Sequence, residues 1–395
     1  MFGSILTLNA GSSSLKFAVF DDGLEPVLRG EIEPIKAAPR LVAQNAAGAQ
    51  LEGREWPDQT TSFGTIIGDL LDYIERHSGR LHLKAVGHRI VHGGADFSRP
   101  VLITPNVLSR LDALTSLDPL HMPDNLACVH AVTKMRPGLP QVACFDTAFH
   151  HTIPPEAQAV AVPRALWNRG IRNYGFHGLS YEYIAGRIAA DAPDLMSGRV
   201  MVAHLGAGAS LCALRNGVSI ATTMGFSTLD GLMMATRCGA LDPGVIFYLA
   251  RQGDSLTEIE DTLYHRSGLL GVSGISSDMR VLLASEDPRA AEAIALFNYR
   301  IATAAGGMVS ALGGLDGIVF TAGIGEHAAP IRAAVCERLE WLGVMLDAGA
   351  NAGSATCIST RQSTVKVLVY PTDEEAMIAR HTQAVISPKL LAASP

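Results

Sequence analysis

Apolar residues recur at Phe63, Ile66, Ile67, Leu70, Leu71 and Ile74. That is the spacing of one helix face, so this stretch predicts an amphipathic helix that Gly79 stops. Most other apolar runs are short and β-type. Residues 5–8 and 15–20 flank Asn9-Ala10-Gly11-Ser12-Ser13-Ser14 and predict a hairpin with a wide polar loop, its second strand ending at Asp21-Asp22-Gly23. Further strands are expected at 85–91, before His92-Gly93-Gly94, and at 142–145. The second half repeats the opening theme. A strand at 200–205, the loop Gly206-Ala207-Gly208-Ala209-Ser210 and a returning strand at 211–214 lead to Asn216-Gly217. Setting Ser14-Leu15 over Ser210-Leu211 superposes two strand–loop–strand units and suggests a duplicated α/β architecture. A helix over 290–303, an apolar strand over 317–322, and a final strand and helix over 365–380 complete the pattern.

At 395 residues the chain exceeds what one core usually organises. The expected division is an N-terminal lobe of 1–148, to which 381–395 return, and a C-terminal lobe of 149–380. Hydrophobic residues make up 48% and charged residues 17%, which supports a large core and excludes disorder. The net charge of −7 argues against a nucleic-acid or anionic-membrane surface, so any anion must be held by a few local cations. The six cysteines form no Cys-x-x-Cys pair and read as free thiols. With no signal-peptide pattern at the start and no apolar run near the roughly 20 residues that cross a bilayer, a cytoplasmic protein without a membrane partner is expected.

Small residues and hydroxyls in the first loop, followed by Lys16, let main-chain N–H groups approach an anion. No Gly-x-x-x-x-Gly-Lys-Ser/Thr run occurs, so this is not a P-loop. Gly87-His88-Arg89-Ile90-Val91-His92-Gly93-Gly94 places Arg89 in an apolar strand, where a guanidinium needs a bidentate partner. A substrate anion and a structural Asp both satisfy that need. Leu117-Asp118-Pro119-Leu120-His121, Asp146-Thr147-Ala148-Phe149-His150 and Tyr174-Gly175-Phe176-His177-Gly178 each set ionisable side chains among apolar or small neighbours. Thr236-Arg237-Cys238-Gly239 is a second anion-site candidate. In Pro371-Thr372-Asp373-Glu374-Glu375 helix capping competes with a magnesium role. No His-Glu-x-x-His or Gly-x-Ser-x-Gly supports a zinc protease or serine hydrolase.

Together, in this order and over nearly the whole chain, these segments resemble the acetokinase family of short-chain acyl kinases, which includes acetate kinases. Residues 8–16 and 86–94 look like its two signature segments. The resemblance implies the duplicated two-lobed actin/hexokinase-like ATPase fold, with the C-terminal lobe binding nucleotide, and homodimerisation. It also implies reversible phosphoryl transfer from Mg²⁺-ATP to acetate, with Mn²⁺ able to substitute. Carried over by position, Asn9 and Glu374 hold the metal, and Ser12, Ser14 and Lys16 form the phosphate loop. His204, Leu205, Gly206, Ala207, Gly208, Asp278, Met279, Arg280, Gly323, Ile324, Gly325, Glu326 and His327 line the nucleotide. Arg89 and Arg237 hold acetate and the moving phosphoryl group, His177 stabilises its charge, and Asp146 is the catalytic carboxylate. Val91, Leu120 and Thr228 shape the acyl pocket. The chain departs from the family pattern at Ala207, Thr228, Ala240, Met279 and His327. Propionate or butyrate kinase activity on the same scaffold is the nearest alternative. A sugar kinase would need a polar pocket, and an actin- or chaperone-like ATP switch would not need both arginines.

Overall fold

The structure, a computed structural model, describes residues 3–11, 14–34, 38–56, 62–78 and 82–387. The expected hairpin is present: β1 (Gly3–Ala10) and β2 (Leu15–Asp21) pair antiparallel, with Asn9 opposite Lys16. On one side the meander continues through β3 (Pro26–Glu33), β4 (Arg40–Asn45) and β5 (Arg54–Glu55). On the other side come β6 (His82–Ile90), the short edge strand β7 (Val101–Leu102) and β8 (Gln141–Phe145), with β6 parallel to β1 and β8 parallel to β6. The sheet order is β5-β4-β3-β2-β1-β6-β8-β7.

Successive strand residues face opposite sides. Leu6, Leu8, Leu15, Phe17 and Val19 enter a core shared with the helices Phe63–His77 and Met122–Met135. Ile5, Ala18 and Phe20 enter another, against Ala379 of the helix Glu374–Ile386. By the same alternation, Asn9 and Lys16 stand on this second face, at the end of the hairpin. The helix Phe63–His77 forms as its periodicity predicts. Ile66, Ile67, Leu70, Leu71 and Ile74 are buried, each contributing roughly 1.5–3 kcal/mol. Ser62 caps its start by accepting from the Thr65 N–H, and Ser78 follows its last residue; Gly79 lies outside the described residues.

The return of the chain begins earlier than 381. Asp373–Pro395 clusters with Met1–Phe149, and His150–Thr372 forms the second unit. The reason is in the helix Glu374–Ile386, whose buried Met377, Ile378, Ala379 and Thr382 pack on the first sheet. Gly87 admits this approach, because a Cβ there would collide with Thr382 Oγ1 and lie 2.6 Å from Ile378 Cγ2.

In the second unit β9 (Arg199–Leu205), β10 (Ala209–Arg215) and β11 (Val218–Thr222) form an antiparallel meander. β12 (Gly317–Thr321) and β13 (Lys366–Val369) extend it in parallel, giving the order β11-β10-β9-β12-β13. This repeats β3-β2-β1-β6-β8 strand for strand, the duplicated plan of the actin/hexokinase-like fold. Two local expectations change. The helix expected over 290–303 spans Pro288–Leu312, because Asp287 caps it and its buried face continues through Ala305, Val309 and Leu312 to the left-handed Gly313. The strand expected through 322 stops at Thr321, and Ala322, at φ 63°, opens the helix Ala322–His327. No helix among the described residues is long and apolar enough to cross a membrane.

Candidate active site

In the first unit the polar ends of β1, β6 and β8 gather. Asn9 Nδ2 donates to Glu374 Oε2 at 2.9 Å and to Glu375 Oε1 at 3.1 Å, because β1 presents Asn9 to the start of the returning helix. Burial, and Glu374 next to it, push the Glu375 carboxyl above its usual range against the pull of Lys16. Arg89, two residues beyond Gly87 and on the same strand face, donates to Asp146 through Nε at 3.1 Å and Nη2 at 2.6 Å. Its Nη1 donates to the Ala10 carbonyl at 3.2 Å. The side chain is 13% exposed and that of Asp146 only 1%. Burial alone would lower the Arg89 guanidinium, but Asp146, with Glu374 and Asp118 farther off, holds it above its ordinary value. Both partners of the strand arginine are therefore protein groups, and Asp146 fixes its fork. Val91 is buried and Leu120 half-buried. Lys16 is exposed, Ser14 half-buried, and Ser12 lies outside the described residues.

In the second unit the repeated loop does the corresponding work. His177 precedes the helix Gly178–Asp191 in the left-handed region, at φ 59°. For a histidine this is an uncommon conformation, of the kind that clusters at functional sites. Its ring stacks on His204 with centroids 4.1 Å apart. His177 Nδ1 lies 2.8 Å from Ser210 Oγ, and His204 Nδ1 lies 2.8 Å from Ser180 Oγ, which meets Thr372 Oγ1 at 2.8 Å. Arg237 donates through Nη1 to the Thr228 carbonyl at 2.7 Å. Its loop is tied to the glycine-rich turn by the Ala235 N–H, which donates to the Ala207 carbonyl at 3.1 Å. A Cβ on Gly208 would lie 3.1 Å from His177 Nε2 and 3.2 Å from Arg237 Nη2. An imidazole nitrogen and a guanidinium nitrogen thus converge where glycine leaves room.

A cavity of about 490 Å³ adjoins this turn. Gly206, Ala207, Asp278, Met279, Arg280, Gly323, Ile324 and His327 line it, with Ala235, Leu283 and Pro330. Its lining is mostly apolar with a few polar groups, the character of a small-molecule site. Arg280 extends outward, paired with Asp278 at 2.7 Å. Leu205 is buried in β9. Gly325 and Glu326 turn their carbonyls to Arg332 Nη1, at 2.9 and 2.8 Å, and Glu326 Oε1 accepts from the Thr372 N–H at 3.2 Å. Among the described residues no group of three or more His, Cys, Asp or Glu side chains is placed to hold a metal ion.

The Acetokinase family model matches residues 4–380. The chain belongs to the acetokinase family. It is 54% identical over 387 residues to an acetate kinase of Rhodopseudomonas palustris, covering 95% of this chain and 97% of that one. Among solved structures it is similar to the Porphyromonas gingivalis acetate kinase, at 35% identity and TM-score 0.86, covering 98% of this chain and 100% of that one. It is similar to a propionate kinase of Francisella tularensis at 37% identity and TM-score 0.89, covering 97% and 100%.

In this acetokinase-family chain some supports of the two clusters are not evident in the motifs. Asn125 Oδ1 accepts from the Val91 N–H at 2.8 Å, and its Nδ2 donates to the Ala10 carbonyl at 2.9 Å, joining the ends of β1 and β6. A polar residue on the buried side of an apolar helix was its signal. Arg332 is fully buried. It spends its guanidinium on neutral acceptors: Asn351 Oδ1 and O, the Gly325 and Glu326 carbonyls, and Ser354 Oγ. Lone in sequence, it carries no pattern that would distinguish it from a surface arginine.

Proposed function

We propose that this acetokinase-family chain transfers the γ-phosphoryl group of Mg²⁺-ATP reversibly to acetate. A carboxylate oxygen forms the new P–O bond, the bond to the β–γ bridging oxygen breaks, and acetyl phosphate and ADP leave. The observation that carries this reading is the convergence of His177 Nε2 and Arg237 Nη2 at Gly208, beside a cavity suited to a nucleotide. Acetate is ionised near neutral pH, so it needs orientation and charge screening more than a base. Asp146 accordingly serves by orienting Arg89, which takes the acid's carboxylate, with Val91, Leu120 and Thr228 bounding the methyl group. His177 and Arg237 take the equatorial oxygens of the phosphoryl group, where charge stabilisation dominates this class of transfer. Ser12, Ser14 and Lys16 serve the phosphates, and His204–Gly208, Asp278–Arg280 and Gly323–His327 serve the nucleotide.

Asn9 and Glu374 suit magnesium chemically. They offer hard oxygen donors, and magnesium is usually held by one or two carboxylates with substrate phosphates and water completing its shell. The ion supplies neutralisation of phosphate charge. We also place homodimerisation on the helix Pro243–Gln252. None of its residues is buried, yet Phe247 and Tyr248 are each 59% exposed, and Leu256 beyond it 75%. Such an apolar patch marks an interface. The chain then works as a cytoplasmic enzyme without nucleic-acid or membrane partners.

The test is hydroxylamine trapping of the acyl phosphate from ATP, magnesium and a series of acids. Hydroxamate from acetate is expected, and none from acetate, propionate or butyrate would refute the reading. Arg237→Ala should lower kcat far more than it raises KM, and near-normal turnover would remove Arg237 from the role. Likeness to the propionate kinase favours a second acceptor. One methylene discriminates by only about 1–3 kcal/mol, so propionate is expected as a weaker substrate.

A further inference from the structure

The proton positions behind His177 can be worked out from its partners. Tyr181, one turn into the helix Gly178–Asp191, is fully buried, and its hydroxyl meets Ser210 Oγ at 2.5 Å. Ser210 Oγ in turn meets His177 Nδ1 at 2.8 Å. Burial keeps the phenol protonated, well above its ordinary range. Ser210 Oγ is the oxygen in hydrogen-bond contact with it among the described residues, so the buried phenol gives its proton to the serine. A serine hydroxyl has one proton. If Ser210 accepts from Tyr181, that proton points at His177 Nδ1, which must accept it.

We infer that Tyr181 and Ser210 form a one-way relay that holds His177 uncharged, with its proton on Nε2, the nitrogen facing Gly208 and Arg237. They are positioning residues for His177, and the inference rests on the role proposed for that histidine in phosphoryl transfer. A protonated His177 would place a third hydrogen on a chain of two hydrogen bonds. Whichever way Ser210 then turns, one buried O–H, its own or that of Tyr181, is left without an acceptor in the chain, a penalty of the size of a lost buried hydrogen bond. His204 from β9 is stacked on the His177 ring, Arg237 from its loop carries positive charge toward the same point, and Cys212 on β10 is held as a buried thiol. The relay therefore gives a neutral N–H donor beside a permanent cation, so that two positive charges need not share the site of an incoming anion.

The decisive measurement is the imidazole long-range ¹H–¹⁵N spectrum of the deuterated, ¹⁵N-labelled full chain. His177 is identified by the signal missing in His177→Gln. At pH 7.5 the parent should show a neutral ring protonated on Nε2. In Tyr181→Phe the serine is free to turn, so Nδ1 should take up a proton at a pH about one unit higher, roughly tenfold in affinity. The acid limb of kcat should move with it, and both KM values should stay within twofold. Ser210→Ala should mix the two neutral tautomers and lower kcat severalfold. A parent ring protonated on Nδ1, or on both nitrogens, would overturn the relay. So would a Tyr181→Phe ring that titrates like the parent, or a Tyr181→Phe kinetic change confined to KM. Should Tyr181→Phe not fold, the parent spectrum still decides. Should no acid yield hydroxamate, the proposed reaction fails, while the spectrum still reports on the relay by itself.

Discussion

Gly208→Ala separates catalysis from stability more cleanly than removal of a charged residue. The backbone at Gly208 lies outside the left-handed region, so alanine brings no conformational penalty. Its methyl would instead sit 3.1 Å from His177 Nε2 and 3.2 Å from Arg237 Nη2. Both nitrogens must withdraw by a few tenths of an ångström, and the methyl occupies the point on which they converge. Loss of one preorganised donor typically lowers turnover by about 100- to 1,000-fold, and here two are displaced in part. We expect kcat to fall about 100-fold. Stability should hold or rise by about 0.4–1 kcal/mol, since alanine restricts the unfolded chain. Hydroxamate formation gives the first quantity and thermal unfolding the second. Gly186→Ala provides the control: nothing lies within 4 Å of the new methyl, in the middle of the helix Gly178–Asp191. It should gain about 1 kcal/mol with unchanged turnover. A Gly208→Ala enzyme with kcat within threefold of the parent would refute the convergence argument.

Three further outcomes follow from the same geometry. Burial lowers His88 to about 4, with the Gln141 contact opposing, so the folded state refuses a proton that the unfolded state accepts below the ordinary 6.5. Its contribution is complete above pH 6.5 and lost as the pH falls toward 4; His88→Gln should reduce the stability lost between pH 7 and 5 by about 2 kcal/mol in urea titrations, and an unchanged loss would show that His88 is not the source. For the proposed homodimer, Tyr248→Glu on the exposed helix Pro243–Gln252 should lower the light-scattering mass from two 41.7 kDa chains to one, and a variant that keeps the two-chain mass would move the interface elsewhere. Arg332→Met should lower stability by several kcal/mol, since it orphans the buried acceptors of Gly325, Glu326 and Asn351; a Tm within 2 °C of the parent would show that water replaces the guanidinium.

Local period and turn chemistry made much of this fold legible. The helix Phe63–His77 shows in its i, i+3, i+4 apolar set, and both hairpins show in the small residues between their strands. The repeat of Ser14-Leu15 at Ser210-Leu211 foreshadowed a second sheet that repeats five central strands of the first in the same order. What sequence could not supply was contact between distant segments. Arg89 left two partners open, and only the register of β6 with β8 brings Asp146 to its guanidinium. The acidic run at 373–375 divides its tasks for the same reason: Asp373 accepts from the Ala376 N–H, while Glu374 and Glu375 meet Asn9. The point at which the chain returns is hidden in sequence because the packing of Ile378 and Thr382 on the first sheet depends on Gly87, nearly 300 residues earlier. Tyr181, Ser210 and Arg332 show no periodicity, since a hydrogen-bond network leaves none.

The return of the chain to its first sheet also bears on how the protein is made. His150–Thr372 is one continuous segment and can close as soon as it clears the ribosome. The first sheet cannot, because the face carrying Ile5, Ala18 and Phe20 is covered by the helix Glu374–Ile386, which is synthesised long after the strands it covers. At roughly 5–20 residues per second, the stretch from β8 to that helix takes about 10–50 s to translate. Throughout that interval one side of β1 and β2 is an open apolar surface on a nascent chain. The order of synthesis therefore delays completion of the first sheet until that helix has emerged, and leaves its uncovered face as the aggregation-prone surface of the interval.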